Sequence, residues 1–106
     1  MEWTADFSLP TSYIDSLTLA IERALRENPA GLSEFELIQW LRESGTLPVA
    51  RDALSDRLGL FRIHFLVFHG LYTLRLQLLE SKQGVLEISP IKTRLLPYWQ
   101  LWHLMK

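Results

Sequence analysis

The apolar positions in the first part of the chain recur three or four residues apart, which predicts an α-helix within TSYIDSLTLAIERALRENPAG. Ser12 and Asp15 are expected to form a capping pair at its start. Pro29, followed by Gly31, is expected to end it, because neither residue continues a helix well. The predicted buried stripe consists of Ile14, Leu17, Ile21 and Leu25.

A second helix is predicted within LSEFELIQWLRESG. Ser33 and Glu36 have the S-x-x-E spacing of a capping box, in which each side chain bonds to the backbone of the other residue. Gly45 is placed to end the helix in a left-handed conformation. Further on, Pro48 is expected to open a short helical turn at about residues 49–57. The predicted buried stripe of the second helix is Leu37, Ile38 and Leu41.

The stretch LFRIHFLVFHGLYTLRLQLLE, residues 60–80, predicts a long third helix with few polar positions. At about 100° per residue, one narrow sector holds most of its polar side chains, while almost everything else is apolar. Such a helix is expected to be the central one, around which the other elements pack. The polar sector consists of Arg62, His69, Thr73, Gln77 and Glu80.

Beyond this helix, the segments VLEIS and IKTRL alternate with the period of a β-strand on either side of Pro90, and Pro97 closes the second segment. The predicted fold class is α+β, mainly α: a three-helix winged-helix-like domain with a long central helix and a C-terminal β-hairpin. We expect one domain over residues 1–106, with its core in 10–98. Residues 99–106 are expected to form an apolar tail leading toward a missing C-terminal region.

The composition excludes several classes of protein. Because none of the 106 residues is cysteine, disulfide frameworks, thiolate zinc sites and thiol catalysis are excluded. The N-terminal MEWTADFSLP lacks the features of an export signal, and charges interrupt every apolar run before it could span a bilayer. We therefore expect a cytoplasmic protein without membrane association. Nucleotide-binding, hydrolase and metalloprotease motifs are missing, so no enzymatic activity, cofactor or metal is predicted.

Charge is distributed unevenly along the chain. Residues 1–56 carry ten acidic and four basic side chains, a net charge of −6, whereas residues 57–106 carry two acidic and seven basic side chains, a net charge of +5. The favoured interpretation is a dipolar surface whose halves attract each other. An interaction face remains the alternative.

The two histidines of the long helix are poor candidates for a metal site. His64 and His69 are five residues apart, or about 140° around a helix, whereas metal-binding pairs are usually three or four apart. His64 shares an otherwise apolar face with Phe68, Leu71 and Arg75. We favour a partly buried histidine bonded to a neighbouring carbonyl. In the alternative, His64 and Arg75 are the polar marks of a partner-binding groove.

Two further surfaces are candidate interaction sites. The aromatic tail offers anchors of the kind that dominate protein interfaces, although it is equally expected to fold back on the core. Its candidate residues are Tyr98, Trp99, Trp102 and Met105. The predicted hairpin offers cations for phosphates at Lys82, Lys92 and Arg94, a weak footprint in a chain of net charge −1. Protein binding is therefore ranked above nucleic-acid binding.

Three blocks of the chain give a more specific resemblance. ENPAGLSEFELIQWLRE, LFRIHFLVFHGLYTLRLQLL and GVLEISPIKTRLLPY, which together span roughly residues 27–98, resemble the N-terminal domain of bacterial DnaJ-related proteins. The resemblance implies a J domain elsewhere in such proteins, where a His-Pro-Asp loop stimulates an Hsp70 ATPase. No such tripeptide occurs in this chain, since Phe, Gly and Leu follow its three histidines.

The resemblance implies a non-enzymatic accessory domain of a co-chaperone, which would bind a client or protein partner, support assembly or place the J domain. Contact with the Hsp70 system would then occur only through the absent J domain. A homodimer is among the expected assemblies. A nucleic-acid-binding winged helix is the alternative, and it requires the positive charges of residues 57–106 to converge on one face.

Overall fold

The computed structural model describes residues 11–47, 57–89 and 91–101. Within these residues, three helices precede a two-stranded antiparallel hairpin and a 3₁₀ turn, Tyr98–Gln100. The predicted α+β, mainly α class is confirmed. The elements are α1 (Thr11–Glu27), α2 (Glu34–Glu43), α3 (Arg57–Ser81), β1 (Val85–Glu87) and β2 (Arg94–Leu96).

Helix α1 packs against α2, α3 and β2. The predicted stripe is buried at Leu17, Ile21 and Leu25, whereas Ile14 is only half-buried. The predicted capping pair is wrong in one respect: Ser12 lies inside the helix, which begins at Thr11, and therefore cannot be its N-cap.

Helix α2 begins and ends as predicted. Ser33 is its N-cap, and the reciprocal bonds of the capping box are present: the Glu36 backbone N–H donates to Ser33 Oγ at 3.1 Å and the Ser33 backbone N–H donates to Glu36 Oε1 at 2.8 Å. Just after the helix, Gly45 adopts a φ of 79°, a conformation that favours glycine. The next residue, Thr46, accepts a hydrogen bond from the Tyr13 hydroxyl of α1 at 3.4 Å. Burial raises the pKa of that phenol above its ordinary value.

Helix α3 crosses α1 at a glycine. A Cβ atom on Gly70 would lie 2.6 Å from Ile21 Cδ1 and 3.3 Å from two atoms of Leu17, so only glycine fits without displacing these buried side chains. The side of α3 that faces the core is formed by Ile63, Val67, Gly70, Leu71, Leu74 and Leu78. The expectation that other elements enclose α3 on nearly every side is wrong, because large apolar side chains on its opposite side are exposed.

The hairpin is confirmed, and it pairs Val85 with Leu96 and Glu87 with Arg94. A further bridge connects it to the loop between α1 and α2. The Thr93 N–H donates to the Leu32 carbonyl at 2.7 Å, and the Leu32 N–H donates back at 3.0 Å. The hairpin therefore closes against the loop that leads into α2. The predicted helical turn falls mostly on residues outside those described.

Within the described ranges, no helix has the combination of length and apolarity needed to cross a membrane.

Candidate protein-interaction surface

The side of α3 that points away from the core carries a ridge of apolar side chains. Phe61, Tyr72 and Leu76 are between 51% and 59% exposed, although each is large and apolar. Phe65 and Phe68 lie between them along the helix and are half-buried. We call these five residues the α3 ridge. Exposed aromatic side chains grouped in this way are typical of protein interfaces.

The ridge runs almost parallel to the helix axis. Tyr72 follows Phe61 by 11 residues, and Leu76 follows Phe65 by the same interval. Eleven residues make about three turns, so each pair is displaced by only about 20° around the helix. From Phe61 to Leu76 the ridge extends over about 22 Å. A straight ridge of this length can contact a partner helix along four turns.

Aromatic rings stack along this side of the helix. The rings of Phe68 and Tyr72 lie 6.3 Å apart with an interplanar angle of 27°, and those of His64 and Phe68 lie 6.5 Å apart at 15°. Phe65 and His69 form a similar pair at 6.5 Å and 11°. Each pair is spaced i, i+4, which brings side chains together on a helix surface. The stacking holds the rings in defined positions and so lowers the entropy that a partner must remove on binding.

His64 is held by a residue of α2. Its Nδ1 atom contacts Oε1 of Glu34, the first residue of α2. That oxygen is shielded from solvent and, among the described residues, has no hydrogen-bond partner beyond this ion-pair contact. The predicted bond to a carbonyl is thus replaced by a contact with a carboxylate, which joins α2 to α3.

Arg75 is exposed on the same side of the ridge as His64. Arg57 is exposed too. It lies on the same side of the helix as Arg75, because the two are 18 residues, or five full turns, apart. None of the ion pairs formed by residues 11–47, 57–89 and 91–101 involves either arginine. One flank of the ridge is therefore cationic. His64 and Arg75, the predicted polar marks of a partner-binding groove, both lie along this flank.

The aromatic tail is described only in part. Tyr98 is half-buried and Trp99 is exposed in the 3₁₀ turn that follows β2. Trp102 and Met105 lie outside the described residues. The tail stays a predicted interaction site.

The cations of the predicted nucleic-acid site do not form one patch. Arg94 donates two hydrogen bonds to Glu87 Oε1, at 2.9 and 2.6 Å. The stems of Lys92 and Arg94 both lie against Gly31, where a Cβ atom would lie 2.6 Å from the Cγ atom of each. Lys82 lies just before Val85, at the open end of the hairpin, whereas Lys92 lies in the loop that connects the two strands. Because Lys82 lies apart from the other two cations and Arg94 is paired with Glu87, the three residues are a poor footprint for a phosphate backbone.

Two open grooves lie elsewhere on the described surface. One, of about 400 Å³, lies between the end of α1 and β2 and is lined by Leu25, Arg26, Pro29, Gln83, Leu95, Leu96 and Pro97. The other, of about 300 Å³, lies between α1 and Gln77 of α3. Within the described part of the chain, no group of three or more carboxylate or histidine side chains could hold a metal ion.

The sequence reasoning missed the α3 ridge, because it interpreted an apolar helix as an enclosed one. A usable signal was present. Between Arg57 and Leu79 the chain has no acidic residue, and the aromatic residues of the ridge recur at intervals of three or four residues on the side opposite Ile63, Val67 and Leu74. Two apolar stripes on one helix indicate two packing surfaces, one for the core and one for a partner.

Comparison with known proteins gives one match. Residues 15–104 match the family described as DNA-J related protein. Neither the curated proteins nor the solved structures provide a match.

Proposed function

The chain belongs to the DNA-J related protein family, and on that premise we propose that it is a non-enzymatic protein-interaction domain that serves a co-chaperone. Its task is to bind a client or partner polypeptide through the α3 ridge. Any effect on an Hsp70 protein requires a J domain, because this chain contains no His-Pro-Asp tripeptide. The proposed setting is the cytoplasm.

The exposure of Tyr72 and Leu76 carries this proposal. A helix normally directs its apolar side chains to one face, and α3 already has such a face against α1. A second row of large apolar side chains in water is unfavourable by about 25 cal/mol for each Å² of apolar surface. Binding a partner removes this surface from water, which supplies the driving force for association.

Two observations favour protein binding over the nucleic-acid alternative. The exposed surface of α3 presents rings and aliphatic groups where a recognition helix would present polar groups to base edges. In addition, Arg94 of the hairpin is engaged by Glu87. The exposed side of α3 is therefore better suited to an apolar polypeptide surface than to a phosphate backbone.

A binding titration tests the proposal. The full chain is added to a fluorescently labelled, reduced and carboxymethylated lactalbumin, which stays unfolded, and binding is followed by anisotropy. We expect saturable binding that the double substitution Tyr72→Glu with Leu76→Glu weakens at least tenfold, because two carboxylates would be placed on the apolar ridge.

The matched control is Leu19→Glu, on α1, where the natural side chain is 68% exposed and lies away from the ridge. This control should change the affinity less than twofold. Circular dichroism checks that all variants remain folded. Failure of the natural chain to bind, or equal loss with the α1 control, would contradict the proposed use of the ridge.

A further inference from the structure

The charges beside the α3 ridge specify its partner more closely. From Arg57 to Leu79 the helix contains no aspartate or glutamate, and the first carboxylate, Glu80, lies beyond the ridge. Arg57 and Arg75 are both exposed on one flank, about 27 Å apart along the axis. The exposed imidazole of His69 lies on the other flank. The apolar ridge thus has two arginines along one flank.

Among the residues that the structure describes, no ion pair joins a carboxylate to Arg57 or Arg75. Glu34 reaches α3, but it contacts His64. The carboxylates of Glu22, Glu27 and Glu87 pair with arginines of their own elements or of the hairpin. Since opposite charges at the rim of an interface steer and orient the partner, the complementary surface should be acidic.

The shape of the ridge favours a helical partner. Its side chains follow one another at intervals of three or four residues, as do the side chains along one face of any helix. Such rows can interlock, in the way that helices pack against each other in proteins. We infer that the α3 ridge binds an amphipathic α-helix whose apolar stripe is flanked by aspartate or glutamate side chains. This inference rests on the proposed function and adds the chemistry of the partner.

A second copy of the chain fits less well. Pairing two α3 helices through their ridges would bring together two surfaces that each carry Arg57 and Arg75. Like charges facing each other across an interface oppose association. The acidic helix relieves this repulsion, whereas a second copy adds to it.

Two synthetic peptides of 21 residues test the inference. Both carry the same leucine stripe at helical spacing, and the flanking positions are all Glu in one peptide and all Lys in the other. A third peptide has the composition of the Glu peptide plus two central prolines, which prevent a continuous helix. Each peptide is labelled and titrated with the full chain at 50 mM and 200 mM salt.

We expect the Glu peptide to bind at least tenfold more tightly than the Lys peptide, and this ratio to fall at the higher salt concentration. The proline peptide should bind at least tenfold more weakly than the Glu peptide. The double substitution Arg57→Glu with Arg75→Glu should reverse the preference between Glu and Lys. The control Arg23→Glu, at an exposed arginine of α1, should leave the preference within twofold of its natural value.

The outcomes separate this inference from the proposed function. Equal binding of the Glu and Lys peptides, or of the helical and proline peptides, overturns the acidic-helix partner. If unfolded lactalbumin still binds through Tyr72 and Leu76 in that case, the proposed function is retained. Loss of binding by lactalbumin and by all three peptides overturns both.

Discussion

Glu34 and His64 lie 30 residues apart in the chain, yet the carboxylate at the start of α2 contacts the imidazole on α3. The side chain of Glu34 is 17% exposed and that of His64 is 42% exposed. The contact fixes one end of the stacked rings of His64, Phe68 and Tyr72. It therefore links the position of α2 to the arrangement of the α3 ridge.

A double-mutant cycle measures this link. For Glu34→Ala and His64→Ala we expect a coupling free energy of roughly 0.5–1 kcal/mol, small because the imidazole is partly exposed to solvent. Urea unfolding of the natural chain, both single variants and the double variant gives the value. The surface pair Glu22 and Arg26 is the reference, with an expected coupling of about 0.3–0.5 kcal/mol. A coupling near zero for Glu34 and His64 would show that they act independently.

The capping box of α2 makes part of the stability depend on pH. Hydrogen bonds from the Ser33 backbone and side chain lower the pKa of Glu36 below its ordinary value of 4.5. Because its pKa is lower in the folded state, Glu36 contributes stability above its ordinary pKa and loses that contribution as pH falls through the lowered folded value. The sequence spacing correctly predicted this capping box.

Ser33→Ala should raise the pKa of Glu36 toward its ordinary value and destabilise the chain by about 1 kcal/mol at neutral pH through loss of the cap. The carboxyl carbon of Glu36, followed by NMR from pH 2 to 7, reports the change in pKa. As a comparison, Ser81→Ala removes a serine at the end of α3 and should leave that titration curve unchanged. An unaltered Glu36 pKa in Ser33→Ala would mean that the Ser33 side chain does not contribute to the lowered pKa, since alanine keeps the backbone N–H.

The crossing of α1 and α3 should not tolerate bulk at Gly70. We expect Gly70→Leu to destabilise the chain by about 2–3 kcal/mol, because the added side chain would displace Ile21 and Leu17. Thermal and urea unfolding measure the loss. Gln77→Leu adds a similar side chain at an exposed position of the same helix and should change stability by less than about 0.5 kcal/mol. Equal effects at the two positions would argue against close packing at the crossing.

Self-association through the aromatic tail is a separate prediction. If light scattering gives a mass above the 12.4 kDa of one chain, we expect Trp99→Ala with Trp102→Ala to reduce it to that value. The ridge variant Tyr72→Glu should leave the mass unchanged, since like charges oppose self-pairing there. A complex dissociated by the ridge variant and not by the tail variant would assign the self-contact to α3.

The elements of the fold could be predicted largely from local patterns, because capping residues, helical spacing and strand alternation are properties of adjacent residues. The boundaries of α2 illustrate this, with Ser33 and Gly45 at its ends. The exposure of Tyr72 and Leu76 could not be predicted in the same way. Periodicity shows that a helix face is apolar, but whether another element covers that face depends on tertiary packing.

The contact of His64 with Glu34 could not be predicted from the local sequence pattern either. Its helical neighbours at three and four residues were visible in the sequence, whereas Glu34 approaches from another helix. Of the predicted interaction residues, Tyr98, Trp99, His64 and Arg75 have described positions, and their roles stay predictions. The prediction that other elements enclose α3 was wrong because an apolar side chain can be exposed at an interaction surface as well as packed in the core.

The bridge between Leu32 and Thr93 joins residues 61 positions apart and encloses α2, α3 and β1 within one loop of the chain. Closing such a loop costs entropy that only the completed fold recovers, so we expect the bridge to form late in folding. The two amides should then exchange with solvent at the same rate, in a single opening event. Loosening of the C-terminal hairpin would in this way be transmitted directly to the loop at the start of α2, where Glu34 holds the ring stack of α3.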